Sequence, residues 1–219
     1  MRDIDYWSLA LYLALYLGYH VAYLVLPRNF GFFTREWRLG LIREAWFRSI
    51  LRLGQPILAI QTVRNLIMVH SFFGSVTLLL LGGVFSYLFA TFDLLEVLET
   101  GGYLTLIEEH AIVVKLLLSL LVVLVSALNF LMGLRVCFNL NFALGGVMEP
   151  EADISFQMEM VQRQARHLMV GVRSLYFSGP LLLWVLHPTL LVVTTVAITV
   201  LLFRFDFLKD RRRRQRDAP

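Results

Sequence analysis

Arg64, Arg135 and Arg173 lie in long stretches that hold few other charges; Gln61 and Asn65 fall at similar depth, and His20 of the first apolar segment sits somewhat deeper. A guanidinium presents a planar fork of N–H donors that matches a carboxylate or phosphate two bonds at a time. Amides and a ring nitrogen beside it can replace the water around an anion. Because a cation in hydrocarbon is costly unless an anion, water or a headgroup meets it, the six residues read as an anion-binding vestibule at one end of a helix bundle. The competing reading lays each arginine's apolar stem along lipid while its head reaches the headgroups. Arg204, which closes the last apolar segment, fits that second reading better.

Other chemistry is thinner. Lys115, about one turn into its segment, can reach outward to Glu108 and Glu109. His20 and His70 invite a redox reading, since two histidines on facing helices can ligate haem iron axially. Hydrogen-bonded histidines without iron are the simpler account. The sequence holds no metal-ligand spacing, nucleophile–base pair, paired carboxylates or phosphate-cradling loop. Neither catalytic residue, metal nor cofactor is therefore expected, and the chain does not read as an enzyme. A single cysteine, Cys137, excludes an intrachain disulfide and reads as buried filler.

The elements that carry these residues follow from composition. Of 219 residues 58% are hydrophobic and 16% charged, and the mean hydropathy is +0.69, values typical of a membrane protein of one domain. The net charge is +4, but the basic residues sit beside apolar segments, so anionic inner-leaflet lipid rather than nucleic acid is the expected partner. The acidic start, with Asp3 and Asp5, lacks the positive opening of a secretory signal and reads as the head of an uncleaved anchor.

That anchor is the first span, Ile4 to Leu26, closed by Pro27. Residues 28–54 hold six arginines among Trp37, Leu39, Ile42, Trp46, Phe47 and Ile50, the pattern of a basic amphipathic helix on the cytoplasmic face. A second span covers 56–90. The loop 91–110 carries five acids and no base, which suits the outside. A third span covers 111–134, and 145–166 reads as a cytoplasmic linker with a short surface helix. The block 174–203 is broken at His187-Pro188, because proline removes a donor and biases its predecessor away from helix. The break returns the basic tail 208–219 to the cytoplasm. The expected fold is thus an all-α multi-pass bundle of about five membrane segments, the last two a short hairpin, with the N-terminus outside and the C-terminus inside. Gly82, Ser86 and Ala90 form a narrow strip for close helix approach, with Ser126 and Gly133 as a mate and a homo-oligomer as a further expectation.

Several of these pieces resemble the membrane-protein family called domain of unknown function 599, found in bacteria and plants. The resemblance is carried by Tyr19-His20, by Arg43 and Trp46, and above all by the run from Ile57 to Met68 with its Gln61-Thr62-Val63-Arg64-Asn65. It continues through Leu134-Arg135, Arg173, Tyr176, Pro180-Leu181-Leu182-Leu183-Trp184, Pro188 and Phe205-Asp206-Phe207. It implies a membrane protein, adds weight to Arg64, Arg135 and Arg173, and supplies no activity; the bacterial inner membrane is the expected location. The functional expectation is an oligomeric channel or transporter for a small anion. The alternatives are a scaffold that binds anionic lipid, or a haem-binding redox protein.

Overall fold

The structure, a computed structural model, describes residues 3–29, 35–101, 106–145 and 150–207, with side chains at 3–23, 38–55, 57–91, 111–144 and 154–206. The described residues form six helices and no strand: α1 Asp3–Asn29, α2 Arg35–Arg52, α3 Pro56–Gly101, α4 Leu106–Gly145, α5 Pro150–Trp184 and α6 Pro188–Phe207. The tail 208–219 and the side chains of Glu108 and Glu109 lie outside the described residues.

Helix α4 is the centre of an all-α membrane bundle. It packs antiparallel to α3, with His70 against Gly133 and Gly74 against Phe130, and antiparallel to α5, with Ser126 against Gly171 and Asn129 against His167. Helix α6 turns back along α5, and α1 packs its backbone mainly on α6. Three stretches are long and apolar enough to cross a membrane: Ile57–Thr91, Ala111–Leu144 and Pro188–Asp206. The first spans of the expected five, in α1, and the fourth, in α5, are not among them. Five tyrosines and two aspartates lower the hydropathy of α1, and Arg163, Arg166, His167 and Arg173 lower that of α5. Asp5 and the tyrosines at 12, 16, 19 and 23 of α1, with His167 and Arg173 of α5, turn toward neighbouring helices, whereas Asp3, Tyr6, Arg163 and Arg166 are exposed.

Two connections are built by local chemistry. Between α2 and α3, Gly54 adopts φ +64°, Gln55 N donates to Ile50 O at 3.2 Å and Gly54 N donates to Leu51 O at 3.1 Å. These paired bonds satisfy the last carbonyls of α2, and the left-handed backbone is why glycine stands there. Between α5 and α6 the expected break at His187-Pro188 is present. His187 is the N-cap of α6, its Nδ1 accepting from Thr189 N at 3.2 Å, with Pro188 in the first helical position, where its missing N–H costs nothing.

Two expected boundaries are corrected. The acidic segment 91–110 is helical through Gly101 and again from Leu106, so it extends α3 and α4 rather than forming an open loop. The linker 145–166 is largely the first half of one continuous α5, which also runs through Pro180. Charge makes 145–166 look like surface chain, yet Gln157, Val161, Gln164 and Ala165 are buried against the bundle. Helix α2 lies across the end of the bundle where α3 begins. Phe47 and Ile50 enter a core with Ala59 and Val63 of α3, Cys137 and Leu140 of α4, and Met158 and Val161 of α5. Cys137 is fully buried there, as filler.

Candidate functional site

Helix α1 places a tyrosine at each of positions 12, 16, 19 and 23, a spacing of four, three and four that keeps all of them on one face. That face looks toward α5 and α6. Tyr12 donates to the Phe177 carbonyl at 3.1 Å, and the Tyr16 and Ser174 hydroxyls are 3.2 Å apart. The rings stack along α1 and edge against Phe177.

At the α2 end of this stripe sits the densest polar cluster of the described residues. Arg173, only 4% exposed, donates from NH2 to Asp206 Oδ2 at 2.8 Å and from Nε to the same oxygen at 3.2 Å. Its Nε also donates to Tyr19 Oη at 2.9 Å, and NH1 donates to the Met169 carbonyl at 3.0 Å, one turn back on α5. Tyr19 in turn donates to Asp206. The Tyr23 ring covers the guanidinium face at 3.8 Å from Cζ, a cation–π contact strengthened by desolvation. Three helices therefore converge on one cation: α5 supplies it, α6 neutralises it, and α1 covers it. His20 stands beside them, its ring 4.4 Å from that of Tyr16 and 6.0 Å from that of Phe177, with Nδ1 on the Tyr16 carbonyl at 2.8 Å. Its Nε2 is buried without a hydrogen-bond partner.

About 21 Å of helical rise back along α1, at the His187 end, a second charge cluster is buried. Lys115, 8% exposed, meets Asp5 Oδ1 at 2.8 Å. Trp184 donates from Nε1 to the same oxygen at 3.0 Å, and its ring lies 5.1 Å from the Lys115 ammonium. Lys115 thus pairs across the bundle with the first helix; the side chains of Glu108 and Glu109, the expected partners, lie outside the described residues.

A third group lies where α3, α4 and α5 meet. His70, 1% exposed, bonds Gln164 through Nε2 at 3.3 Å and packs edge-on against Phe130. A Cβ on Gly133 would fall 2.0 Å from His70 Cε1, so this glycine makes the notch the imidazole fills. One turn along α5, His167 bonds Asn129 at 3.1 Å.

The expected vestibule is only partly assembled. Arg173 and His20 belong to one cluster. Gln61, Arg64 and Asn65 are exposed on α3 and Arg135 is exposed on α4, and none of them makes a hydrogen bond or ion pair with another described residue. The premise that embedded cations lack embedded acids is overturned for Arg173 and Lys115. Each has a carboxylate partner that stands at the extreme end of a helix, where it reads in sequence as surface. The haem pairing of His20 with His70 is overturned too. Their α5 neighbours, Phe177 and Gln164, are roughly 20 Å apart along that helix, far more than two axial ligands of one iron allow. Ser126 and Gly133 do not mate with the Gly82 strip either: they serve α5 and His70, while Gly82 and Gly83 face outward with nothing near.

The residues that the sequence reading missed are Asp5, Asp206, Tyr12, Tyr16, Tyr23 and Trp184 as a polar set. The tyrosine spacing was a readable signal; the pairing of the two aspartates needed the helix order.

The family model described as "Protein of unknown function, DUF599" matches residues 7–211. The chain belongs to that family. No curated protein and no solved structure matches it.

Proposed function

We propose that this member of the DUF599 family is a non-enzymatic protein of the bacterial inner membrane that carries a small anion, and that the anion is held at the Arg173 guanidinium. The observation that supports this is the way Asp206 meets Arg173, with two guanidinium N–H groups on one carboxylate oxygen inside an aromatic enclosure. A fork of this kind accepts any oxyanion of similar size. Replacing a buried ion pair by packed apolar side chains is often neutral or stabilising, so stability alone gives no reason to keep one in hydrocarbon. An exchangeable carboxylate does give one: the carried anion takes the place of Asp206, and Asp206 returns when it leaves.

In this reading the α2 end is cytoplasmic, because α2 with Arg38, Arg43, Arg48 and Arg52 lies there, so the N-terminus is outside and the C-terminus inside. Arg64 and Arg135, with Gln61 and Asn65, attract anions or anionic lipid at that surface, or meet their counterparts in a homo-oligomer.

A scaffold is the second reading, and α2 favours it. Leu39, Ile42, Trp46 and Leu53 are exposed at helical spacing on the side away from the buried Phe47 and Ile50, with Arg38 and Arg52 also exposed. That is the build of a helix lying in anionic headgroups. Purified protein in phosphatidylcholine–phosphatidylglycerol liposomes separates the two. The carrier moves at least one of chloride, nitrate, phosphate or a short carboxylate, and Arg173→Gln abolishes the flux. If the wild-type protein moves none of them, the scaffold reading stands.

A further inference from the structure

The two buried ion pairs share a plan. Each joins one carboxylate to one cation, sets an aromatic ring against the cation, and gives the carboxylate a further donor from an aromatic side chain: Tyr23 and Tyr19 for Arg173–Asp206, Trp184 in both roles for Lys115–Asp5. Helix α1 contributes to both, Asp5 at one end and Tyr19 with Tyr23 at the other, and each pair ties it to other helices. Between them α1 reaches α5 by the length of its side chains, Tyr12 to the Phe177 carbonyl and Tyr16 to the Ser174 hydroxyl, while its backbone packs on α6.

We infer that the seam between α1 and α5 is the passage through which the anion moves, and that the two ion pairs are its gates: Asp5–Lys115 at the His187 end and Asp206–Arg173 at the α2 end. The identity of the cargo rests on the carrier reading above; the two-gated seam rests on the geometry.

Three features of the seam point to a ligand rather than to simple packing. Tyr12, Tyr16, Ser174 and His20 bring hydroxyls and a ring nitrogen into a core that Phe177, Leu181, Trp184 and Leu191 otherwise fill, at depths where helix–helix contacts in lipid use small or apolar residues. The hydroxyls of Tyr12, Tyr16 and Ser174 can donate, and the cation at each end, paired with a carboxylate at rest, becomes free to meet an anion when that pair opens. His20 Nε2 is buried there with no partner, although a polar atom removed from water needs one. With Nδ1 on the Tyr16 carbonyl, Nε2 is left to face the seam's occupant, as an acceptor toward water or, once protonated, as a donor toward an anion.

Each gate can open alone because the pairs share no residue. Opening Asp5–Lys115 parts the first turn of α1 from α4, and opening Asp206–Arg173 parts the end of α6 from α5. A passage that opens at one end while the other stays closed is the requirement for carrying rather than leaking.

The test uses a reporter inside the seam, read separately from transport. Ser174→Cys is a small change at a fully buried position, and Cys137→Ser removes the native thiol, which lies in the α2-end core away from the seam. In sealed vesicles of known orientation, an impermeant anionic methanethiosulfonate is applied from each side. Asp5→Asn raises labelling of position 174 at least about tenfold from the N-terminal side only, and Asp206→Asn does so from the α2 side only. Exchanging the pair, Asp5→Lys with Lys115→Asp, restores wild-type protection. Labelling that stays low in both variants, or that rises equally from both sides and is not restored by the exchange, overturns the gates and leaves the pairs as clamps. Anion flux by wild-type protein is measured in the same vesicles. One-sided labelling without flux keeps the gated seam and removes the anion carrier; flux without one-sided labelling keeps the carrier and removes the seam.

Discussion

Asp206 on α6 closes on Arg173 of α5 at 2.8 Å, and the Tyr19 hydroxyl of α1 bonds both partners. This contact decides what kind of arginine Arg173 is. An arginine anchoring a helix to headgroups is exposed and lacks a fixed protein partner, as Arg64 and Arg135 are. Arg173 is enclosed, neutralised and covered by an aromatic face, so the protein carries its own substitute for an anion at that point.

Arg173→Lys tests whether the fork or the charge matters. Lysine keeps the charge but cannot present two parallel donors to one carboxylate or spread flat against Tyr23. The variant is expected to insert and express, to lose part of its thermal stability, and to lose most of its anion flux. Arg173→Gln leaves Asp206 buried without a cation, a loss of about 3–5 kcal/mol for a broken buried pair, and is expected to lower the unfolding temperature further. Thermal unfolding in detergent and flux in liposomes check both.

Gly133→Ala tests the notch for His70. The new methyl group would lie 2.0 Å from His70 Cε1 and 2.5 Å from Nδ1, so the imidazole must leave its place against Phe130 and Gln164. Overpacking of this kind costs about 1–3 kcal/mol. His70→Ala in the same chain makes room, so the double variant should be more stable than the sum of the two single losses. Strictly additive losses would show that the notch is not what constrains position 133.

What the sequence made legible and what it did not follow a physical line. Long apolar runs, Pro188 and the basic stripe of 28–54 act locally, through hydropathy, backbone geometry and charge, and the start of α3, the break before Pro188 and helix α2 stand where those signals put them, while α3, α4 and α5 extend well past the expected bounds. Residues 145–166 misled because charge density reads as solvent exposure. In a bundle, Gln157 and Gln164 can be buried by meeting another helix, at the Ala143 carbonyl and at His70. The site needed long-range knowledge. Asp5 and Asp206 are terminal acids in sequence, and only the packing of α1 on α6 and α5 makes them the partners of Lys115 and Arg173. Arg64 was weighted by its amide neighbours; those amides share its exposed side rather than a cavity.

Topology provides a third test. With α2 at the cytoplasmic end, a cysteine at position 52 should react with an impermeant thiol reagent only from inside, and one at 187, in the turn that caps α6, only from outside. Reaction of position 187 from the cytoplasmic side would reverse the orientation and exchange the two gates.

The central claim is that the Arg173 seat exchanges Asp206 for a free anion, and anion-dependent stability of purified protein measures this directly. Asp206→Asn empties the seat of its tethered carboxylate, so its unfolding temperature should rise steeply as chloride, nitrate or phosphate is added. A ligand at a hundred times its dissociation constant adds about 2.7 kcal/mol. The wild-type protein should respond weakly, because Asp206 competes, and Arg173→Gln should not respond at all. An Asp206→Asn protein that folds but shows no more anion dependence than Arg173→Gln would contradict the claim and leave the pair as a structural clamp.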